Sequence, residues 1–160
     1  MTELALTRAS GDRKRYDLPG YGSLRRVGWL SRESELRTDD GRVLTARQRG
    51  ALQRAAEALD PAGSVIGDYR QRRVLDHGGD LAWSGLPYEV SSESALHTRY
   101  VVSRHQAPVV RVHVKAWGGR APATVTVADP HADAGLVLFT VWLAQTFAHS
   151  SSGDASAAAT

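Results

Sequence analysis

The sequence predicts a mainly β protein in which an antiparallel sheet wraps around a buried hydrophobic C-terminal helix, with one additional short amphipathic helix; a resemblance described below implies that the sheet is a closed antiparallel β-barrel. Two observations carry this prediction. Apolar and polar residues alternate with a period of two through much of the second half of the 160-residue chain, as in half-buried antiparallel strands. The most apolar stretch, DAGLVLFTVWLAQTFAH at 133–149, follows these strands and has the length of a helix. Many short strands before a helix that is apolar on every side favour a sheet wrapped around that helix.

The two ends of the chain are polar and predict unpacked tails. Residues 1–15 have no long apolar run behind their charges, so they do not resemble a signal peptide, and we expect a flexible N-terminal tail. Residues 150–160, SSSGDASAAAT, are small and polar and predict a disordered C-terminal tail. Residues 16–149 are therefore expected to form a single barrel domain.

The clearest strand patterns lie in VVRVHVKAW at 109–117 and ATVTVAD at 123–129, which the turn-like WGGRAP segment connects. The apolar members of the two patterns are expected to face the core: Val110, Val112, Val114, Ala116, Val125 and Val127. The polar members are expected to face outward: Arg111, His113, Lys115, Thr124 and Thr126. This alternation is typical of an antiparallel sheet with one buried face.

Turn-forming pairs of residues separate further short strands. RTDDGRVLT at 37–45 carries Asp-Gly, and VLDHGGDLAW at 74–83 carries Gly-Gly, so each predicts a β-hairpin. LPYEVSS at 86–92 and TRYVVSRHQAPVVRV at 98–112 continue the series. Turns every 8–12 residues are typical of a sandwich or a barrel.

One segment between these strands has the period of a helix. From Thr45 to Asp60, apolar residues recur at positions 52, 55, 56 and 59, and Thr45 with Gln48 has the spacing of a capping box. Asp60-Pro61 supplies a stop signal. We expect a short amphipathic surface helix here, with its arginines on a solvated face.

The C-terminal stretch predicts a second helix, which is buried rather than amphipathic. The run from Leu136 to Phe147 is long enough for about three turns, and its few polar residues do not share one side. From Ala134 to Ala148, 15 residues would span about 22 Å, which is short of the ~30 Å hydrocarbon core of a membrane. We therefore expect burial inside the protein and no transmembrane segment.

Part of the chain resembles a known superfamily. The residues that carry the resemblance are GSVIGDYRQRRVLDHGGDLAWSGLPYEVSS and TRYVVSRHQAPVVRVHVKAWGGRAPATVTVADPHADAGLVLF, within about residues 64–148. They are similar to the LURP-one-related, tubby C-terminal-like superfamily, to which phospholipid scramblases are also related. The most telling points are Trp117-Gly118 and Asp129-Pro130. The resemblance implies a closed barrel threaded by a hydrophobic C-terminal helix, although the helix expected at 45–60 would replace strands of a twelve-stranded barrel.

The same resemblance implies binding rather than catalysis. Tubby domains bind phosphoinositide headgroups, and scramblases act at membranes. No headgroup-binding lysine and arginine motif of the tubby domains can be matched here residue by residue, so lipid recognition does not carry over at named positions. A shared fold by itself is a weak argument for a shared activity.

The sequence selects no catalytic or metal site. It has no cysteine and no Walker, dinucleotide-binding, nucleophile-elbow or HExxH motif. His97, His105 and His113 recur every eight residues, a spacing that implies no convergence when the residues lie on strands. No spacing selects the residues that could supply an acid, a base and a nucleophile: Asp76, His77, Asp80, Ser91, Ser92 and Ser94. We expect no cofactor, no bound metal and no enzymatic activity.

Charge gives the remaining functional prediction. The net charge is only +3 and acids are scattered among the arginines, so a nucleic-acid partner is not favoured. Two basic groups on outer strands are the candidate ligand-binding residues: Arg70, Arg72 and Arg73, and Arg111, Lys115 and Arg120. The sequence thus predicts a cytoplasmic, non-catalytic module that binds anionic phospholipid headgroups, peripherally at a membrane. The alternative is a protein-interaction or structural module that uses the 45–60 helix to bind a protein partner, and an enzyme of unknown chemistry ranks third.

Overall fold

A computed structural model describes residues 2–27, 33–50, 54–72, 78–93, 98–114 and 123–158, with side chains described to residue 148. Within these residues the chain forms thirteen strands and one helix, which begins after the last strand. The strands are β1 Thr2–Ala5, β2 Thr7–Arg8, β3 Arg15–Leu18, β4 Gly22–Arg26, β5 Glu33–Thr38, β6 Val43–Arg49, β7 Ala55–Leu59, β8 Val65–Gln71, β9 Gly79–Trp83, β10 Leu86–Ser92, β11 Arg99–Arg104, β12 Ala107–Val114 and β13 Ala123–Val127. The helix, α1, is Ala134–Ala158. The predicted mainly β class is confirmed.

The strands form one antiparallel sheet that curls into a nearly closed barrel. From β3 to β13 each strand pairs with its neighbours in chain order, and β1 pairs with β13 while β2 pairs with β3. Because β1 and β2 follow each other in the chain, one N-terminal segment links the two edges of the sheet. Between them, the amide of Leu6 donates to the carbonyl of Ala123 at 2.8 Å.

The prediction of a flexible tail over residues 1–15 is therefore wrong for the segment that forms β1 and β2. Two leucine side chains of this short polar segment pack into the core: Leu6, which is fully buried, and Leu4, which is partly buried. TELALTR is too short for its pattern to predict a strand. Its partners in the sheet lie outside the segment, in β13 for β1 and in β3 for β2. Tertiary pairing, not local pattern, makes it a strand.

The C-terminal helix lies against strands from opposite arcs of the barrel. It contacts β4, β5 and β6 on one arc and β11, β12 and β13 on the other. Its residues from Gly135 to Ala144 are all buried, in agreement with the prediction that this helix is apolar on every side. Phe147 adds ring contacts with Tyr69 of β8 and Tyr100 of β11, with centroids 5.4 and 5.3 Å away.

The expected disordered tail at 150–160 is also corrected, because α1 continues to Ala158. The segment contains no proline, and three of its last residues are alanines, which are strong helix formers. Within the described residues, no helix combines the length and the hydrophobicity needed to cross a membrane.

The predicted strands at 107–127 are confirmed where the structure describes them. Val110, Val112, Val114, Val125 and Val127 are buried in the core, and the polar residues between them are partly exposed on the outer surface. Ala116, Lys115 and the WGGRAP turn lie outside the described residues. The hairpin predicted at 37–45 is present as β5–β6. Of the hairpin predicted at 74–83, the second strand is confirmed as β9, and residues 74–77 lie outside the described residues.

The amphipathic helix predicted over Thr45–Asp60 is wrong. The segment forms β6 and β7, which pair with Thr45 opposite Leu59 and Arg49 opposite Ala55. Alanine is compatible with the apolar spacing of a helix and with that of a strand. In the structure the segment is a pair of strands whose alternate residues face inward, and Ala46, Ala56 and Ala58 lie in the core. Gly50, at φ +82, follows β6 in a conformation that glycine adopts without strain.

The two ends of the barrel differ in how their strands are connected. At one end, which we call the tight end, β3–β4, β5–β6, β7–β8, β9–β10 and β11–β12 are joined by short turns, and α1 begins there. Several of these turns contain left-handed residues, such as Ser84-Gly85 and His105-Gln106. The opposite end, the loop end, carries longer connections, including residues 9–14 between β2 and β3. Longer connections on a rigid scaffold are where binding residues concentrate.

Candidate functional site

The predicted basic faces on the outer strands are largely neutralised by neighbouring acids. Arg70 lies 3.5 Å from Asp68, and Arg72 lies 3.2 Å from Asp80 and 3.5 Å from Glu89. Arg111 lies 3.3 Å from Glu93. Arg73, Lys115 and Arg120 lie outside the described residues. Each predicted arginine that the structure describes thus shares its charge with a carboxylate on the same surface.

A denser group of cations lies at the loop end, where sequence reasoning placed none. We call it the rim cluster, and it consists of Arg13, Lys14, Arg15, Arg25 and Arg26. All of these residues are exposed. The first three occupy the turn before β3 and its first position, and the last two end β4. Because β3 and β4 form a hairpin, two short basic runs that lie apart in sequence become neighbours.

The hairpin register places two cations of the rim cluster directly opposite each other. Arg15 and Arg25 are cross-strand partners, an arrangement that disfavours pairing when both side chains carry the same charge. Asp17 accepts from Arg15 at 3.1 Å, and Asp12 pairs with Arg25 at 3.0 Å. Glu35 of β5 is the other cross-strand partner of Arg25, so three acids stand against five cations, and the rim keeps an excess of positive charge.

Asp12 is held ionised by its surroundings in the rim cluster. The backbone amide of Lys14 donates to its carboxylate at 3.0 Å, and this bond, with the nearby Arg25, lowers the pKa of Asp12. The Arg26 amide also donates to the Lys14 carbonyl at 3.1 Å, which ties the turn to the end of β4. The backbone therefore fixes the two basic runs relative to each other.

An exposed aliphatic side chain adjoins the cations. Val27 directly follows Arg26 and is 47% exposed, and it is one of three exposed large hydrophobic residues in the described part of the chain. The other two, Val65 and Leu86, begin β8 and β10 at the tight end. The loop end thus combines concentrated positive charge with an accessible apolar side chain.

A second feature is a polar concavity of about 370 Å³ on the outside of the barrel, which we call the outer concavity. It spans β11, β12, β13 and β1, and Arg111 is the predicted site residue that it contains. Its polar lining consists of Glu3, Glu93, Arg99, Arg111, His113, Thr124 and Thr126. The threonines, predicted only as outward strand residues, lie between longer charged side chains.

One buried carboxylate on the outer surface has a structural explanation. Glu57 of β7 is 3% exposed, and its two carboxylate oxygens accept from Arg47 at 2.6 Å and from Arg49 at 2.8 Å. Burial raises the pKa of Glu57, but the two arginines outweigh that effect and lower it. The arginines expected on a solvated helix face therefore cover Glu57 on the sheet, and the arrangement leaves no reactive group free.

The candidate catalytic and metal-binding residues are not brought together. Among the described residues, no group of three or more His, Cys, Asp and Glu side chains could hold a metal ion. His105 lies in the tight-end turn before β12 and His113 lies toward the other end of that strand. Asp80 pairs with Arg72, and Ser91 and Ser92 lie in the β10 ladder. Asp76, His77, Ser94 and His97 lie outside the described residues.

Comparisons of the chain with protein-family models, with curated proteins and with solved structures found no match. The site must therefore be interpreted from its own geometry.

Proposed function

We propose that this protein is a non-catalytic binding module that docks on anionic membrane surfaces through the rim cluster at the loop end of its barrel. The observation that carries the proposal is the convergence of Arg13, Lys14, Arg15, Arg25 and Arg26 on one rim, where these five cations outnumber the neighbouring acids Asp12, Asp17 and Glu35. The site differs from the outer-strand faces that the sequence favours in that Arg13, Lys14 and Arg26 form no ion pair with the described residues, whereas each described arginine of those faces is paired with an acid.

Electrostatics favour this partner. Each lysine or arginine near an anionic leaflet contributes about 1 kcal/mol, so a net excess of two cations gives weak, reversible and salt-sensitive attachment.

The exposed Val27 favours a membrane over a purely ionic partner. An aliphatic side chain gains free energy when it leaves water for the headgroup region, and a neighbouring arginine can remain at the phosphates. The sugar-phosphate backbone of a nucleic acid offers the same charge without an apolar interior for this side chain. The proposed location is accordingly the cytoplasmic face of a membrane.

We further propose that the barrel has the tubby-like, LURP-one-related architecture. Its support is the antiparallel barrel with a hydrophobic C-terminal helix that contacts strands on opposite arcs. The alternative function, a protein-interaction or structural module that uses a helix at 45–60, is no longer supported, because that segment forms β6 and β7.

Vesicle flotation tests the proposed function. The protein is mixed with vesicles of phosphatidylcholine alone or of phosphatidylcholine with phosphatidylserine, over a series of NaCl concentrations. Binding to the anionic vesicles alone, which falls steeply as salt rises, is the expected result. Equal binding to both vesicles, or none to either, would refute it, and a preference for duplex DNA in competition would assign the cluster to nucleic acid.

A further inference from the structure

We propose that the outer concavity binds a small zwitterion that carries a phosphate and an ammonium group, of which phosphoethanolamine is the simplest example. The inference does not rest on the rim cluster, because the two features use different residues. It rests on the arrangement of charges and hydroxyls across four neighbouring strands.

The floor of the concavity is set by the two threonines of β13. In one cross-strand row Thr126 lies between Glu3 of β1 and Arg111 of β12, and in the next row Thr124 lies between Ala5 and His113. Threonine is short, so the longer side chains on both sides stand above it. The two hydroxyls can donate to or accept from a bound group at the base of the recess.

The wall on the β11–β12 side is suited to an oxyanion. Arg99 is the cross-strand partner of His113, and Arg111 lies two residues before His113 on the same face. The Arg111 Nε atom donates to Glu93 at 3.3 Å, so this carboxylate offsets part of the positive charge of the wall, while the terminal guanidinium nitrogens of Arg111 remain as donors for other partners. Within the described part of the chain, Arg99 forms no ion pair. A phosphate, with three terminal oxygens, can accept from several such donors together.

The opposite wall carries a negative charge. Glu3 is exposed and forms no ion pair with the residues that the structure describes. Two strand spacings, about 10 Å between Cα atoms, separate β1 from β12. An inorganic phosphate at the arginine wall would leave the negative charge of Glu3 uncompensated. A ligand with an ammonium a few ångströms from its phosphate can pair with the arginines through the phosphate and with Glu3 through the ammonium. The charge pattern therefore favours a zwitterion over a simple anion.

Isothermal titration calorimetry with three probes tests this inference: O-phosphoethanolamine, inorganic phosphate and ethanolamine. We expect phosphoethanolamine to bind most tightly, phosphate more weakly, and ethanolamine weakest. Arg99→Gln should weaken the binding of both phosphate-containing probes by about tenfold, because a charge-assisted hydrogen bond is lost. Glu3→Gln should reduce the preference for phosphoethanolamine over phosphate while leaving phosphate binding equal or stronger.

Arg70→Gln is the matched control, since Arg70 is an exposed strand arginine outside the concavity. It should bind all three probes as the unmodified protein does. The ligand could be a lipid headgroup or a free soluble compound, and flotation with neutral vesicles that contain phosphatidylethanolamine distinguishes these two sources. Flotation lost in Arg99→Gln identifies a lipid headgroup, and binding of the free probe without flotation identifies a soluble compound. Equal affinity for all probes, no binding of any, or affinities unchanged by Arg99→Gln and Glu3→Gln would overturn the inference.

Discussion

The carboxylate of Asp133 accepts hydrogen bonds from both terminal nitrogens of Arg42, at 2.7 and 3.2 Å. It also accepts from the Gly135 amide at 2.8 Å and from the Trp83 indole at 3.3 Å. Asp133 therefore caps α1 and links its first turn to the β5–β6 turn and to β9. This one side chain sets where the buried helix begins relative to the barrel.

Loss of this cap should destabilise the protein. We expect Asp133→Ala to lower the free energy of unfolding by about 1–3 kcal/mol, because it removes a helix cap, leaves the Trp83 indole without this acceptor and leaves Arg42 paired with Asp40 alone. Urea denaturation measures the change. Asp39→Ala, which removes an exposed carboxylate from the same turn as Arg42, is the control and should change stability by less than about 0.5 kcal/mol. Similar effects of the two substitutions would contradict the proposed role of Asp133.

The contribution of Asp133 should depend on pH. Burial raises its pKa, but hydrogen bonds from Arg42, Gly135 and Trp83 outweigh burial and lower it. A carboxyl whose pKa is depressed by folding stabilises the protein above its unfolded value of about 3.9, and this stabilisation is lost as the pH falls through the folded value. The stability difference between the unmodified protein and Asp133→Asn should thus be largest near neutral pH and shrink below pH 4. A difference that stays constant from pH 7 to pH 3 would exclude this linkage.

The ring of Trp83 leaves no room for a side chain at Gly67, so we expect substitution of this glycine to destabilise the protein. A Cβ atom at Gly67 would lie 2.5 Å from two ring carbons of Trp83, and that ring also packs against Phe139 with centroids 5.5 Å apart. Gly67→Ala should cost about 1–3 kcal/mol through overpacking. The smaller ring of Trp83→Phe should reduce this cost in the double variant. A cost that is the same in both backgrounds would show that the indole is not the source of the strain.

The N-terminal segment should be required for a stable barrel. Deletion of residues 1–8 removes the pairing partners of β13 and β3 and the fully buried Leu6. We expect a large fall in melting temperature, and Leu6→Ala alone should cost about 2–5 kcal/mol. Glu3→Ala, on an exposed side chain of the same strand, should have little effect. An unchanged thermal transition after the deletion would mean that these strands do not close the barrel.

Sequence reasoning predicted the elements whose patterns are local. The valine alternation at 110–114 and 123–127 identified two strands, and the apolar run after Asp133 identified the helix. It failed where the outcome depends on distant partners. The alanines at 46, 56 and 58 suit either period, and only the surrounding barrel makes them strand residues. β1 and β2 are too short to be recognised without the strands that they join.

The candidate site was less predictable than the fold for the same reason. RKR at 13–15 and RR at 25–26 are short basic runs, and the first fell in a segment expected to be a tail. A signal was nevertheless present: YDLPGYGSL between them carries Pro-Gly, and a hairpin there brings the two runs together. The neutralisation of Arg72 and Arg111 could not be foreseen, because it depends on cross-strand register, whereas Asp68 lies two residues before Arg70 on the same strand.

The most direct test of membrane docking compares two double charge reversals in anionic vesicle flotation. Arg25→Glu/Arg26→Glu inverts part of the rim cluster, whereas Arg70→Glu/Arg72→Glu makes the same net change on an outer face whose arginines are paired with acids. Circular dichroism should show that both variants are folded. We predict that the first variant loses vesicle binding and that the second retains most of it. Equal loss in both variants, or retained binding by the first, would contradict docking through the rim cluster.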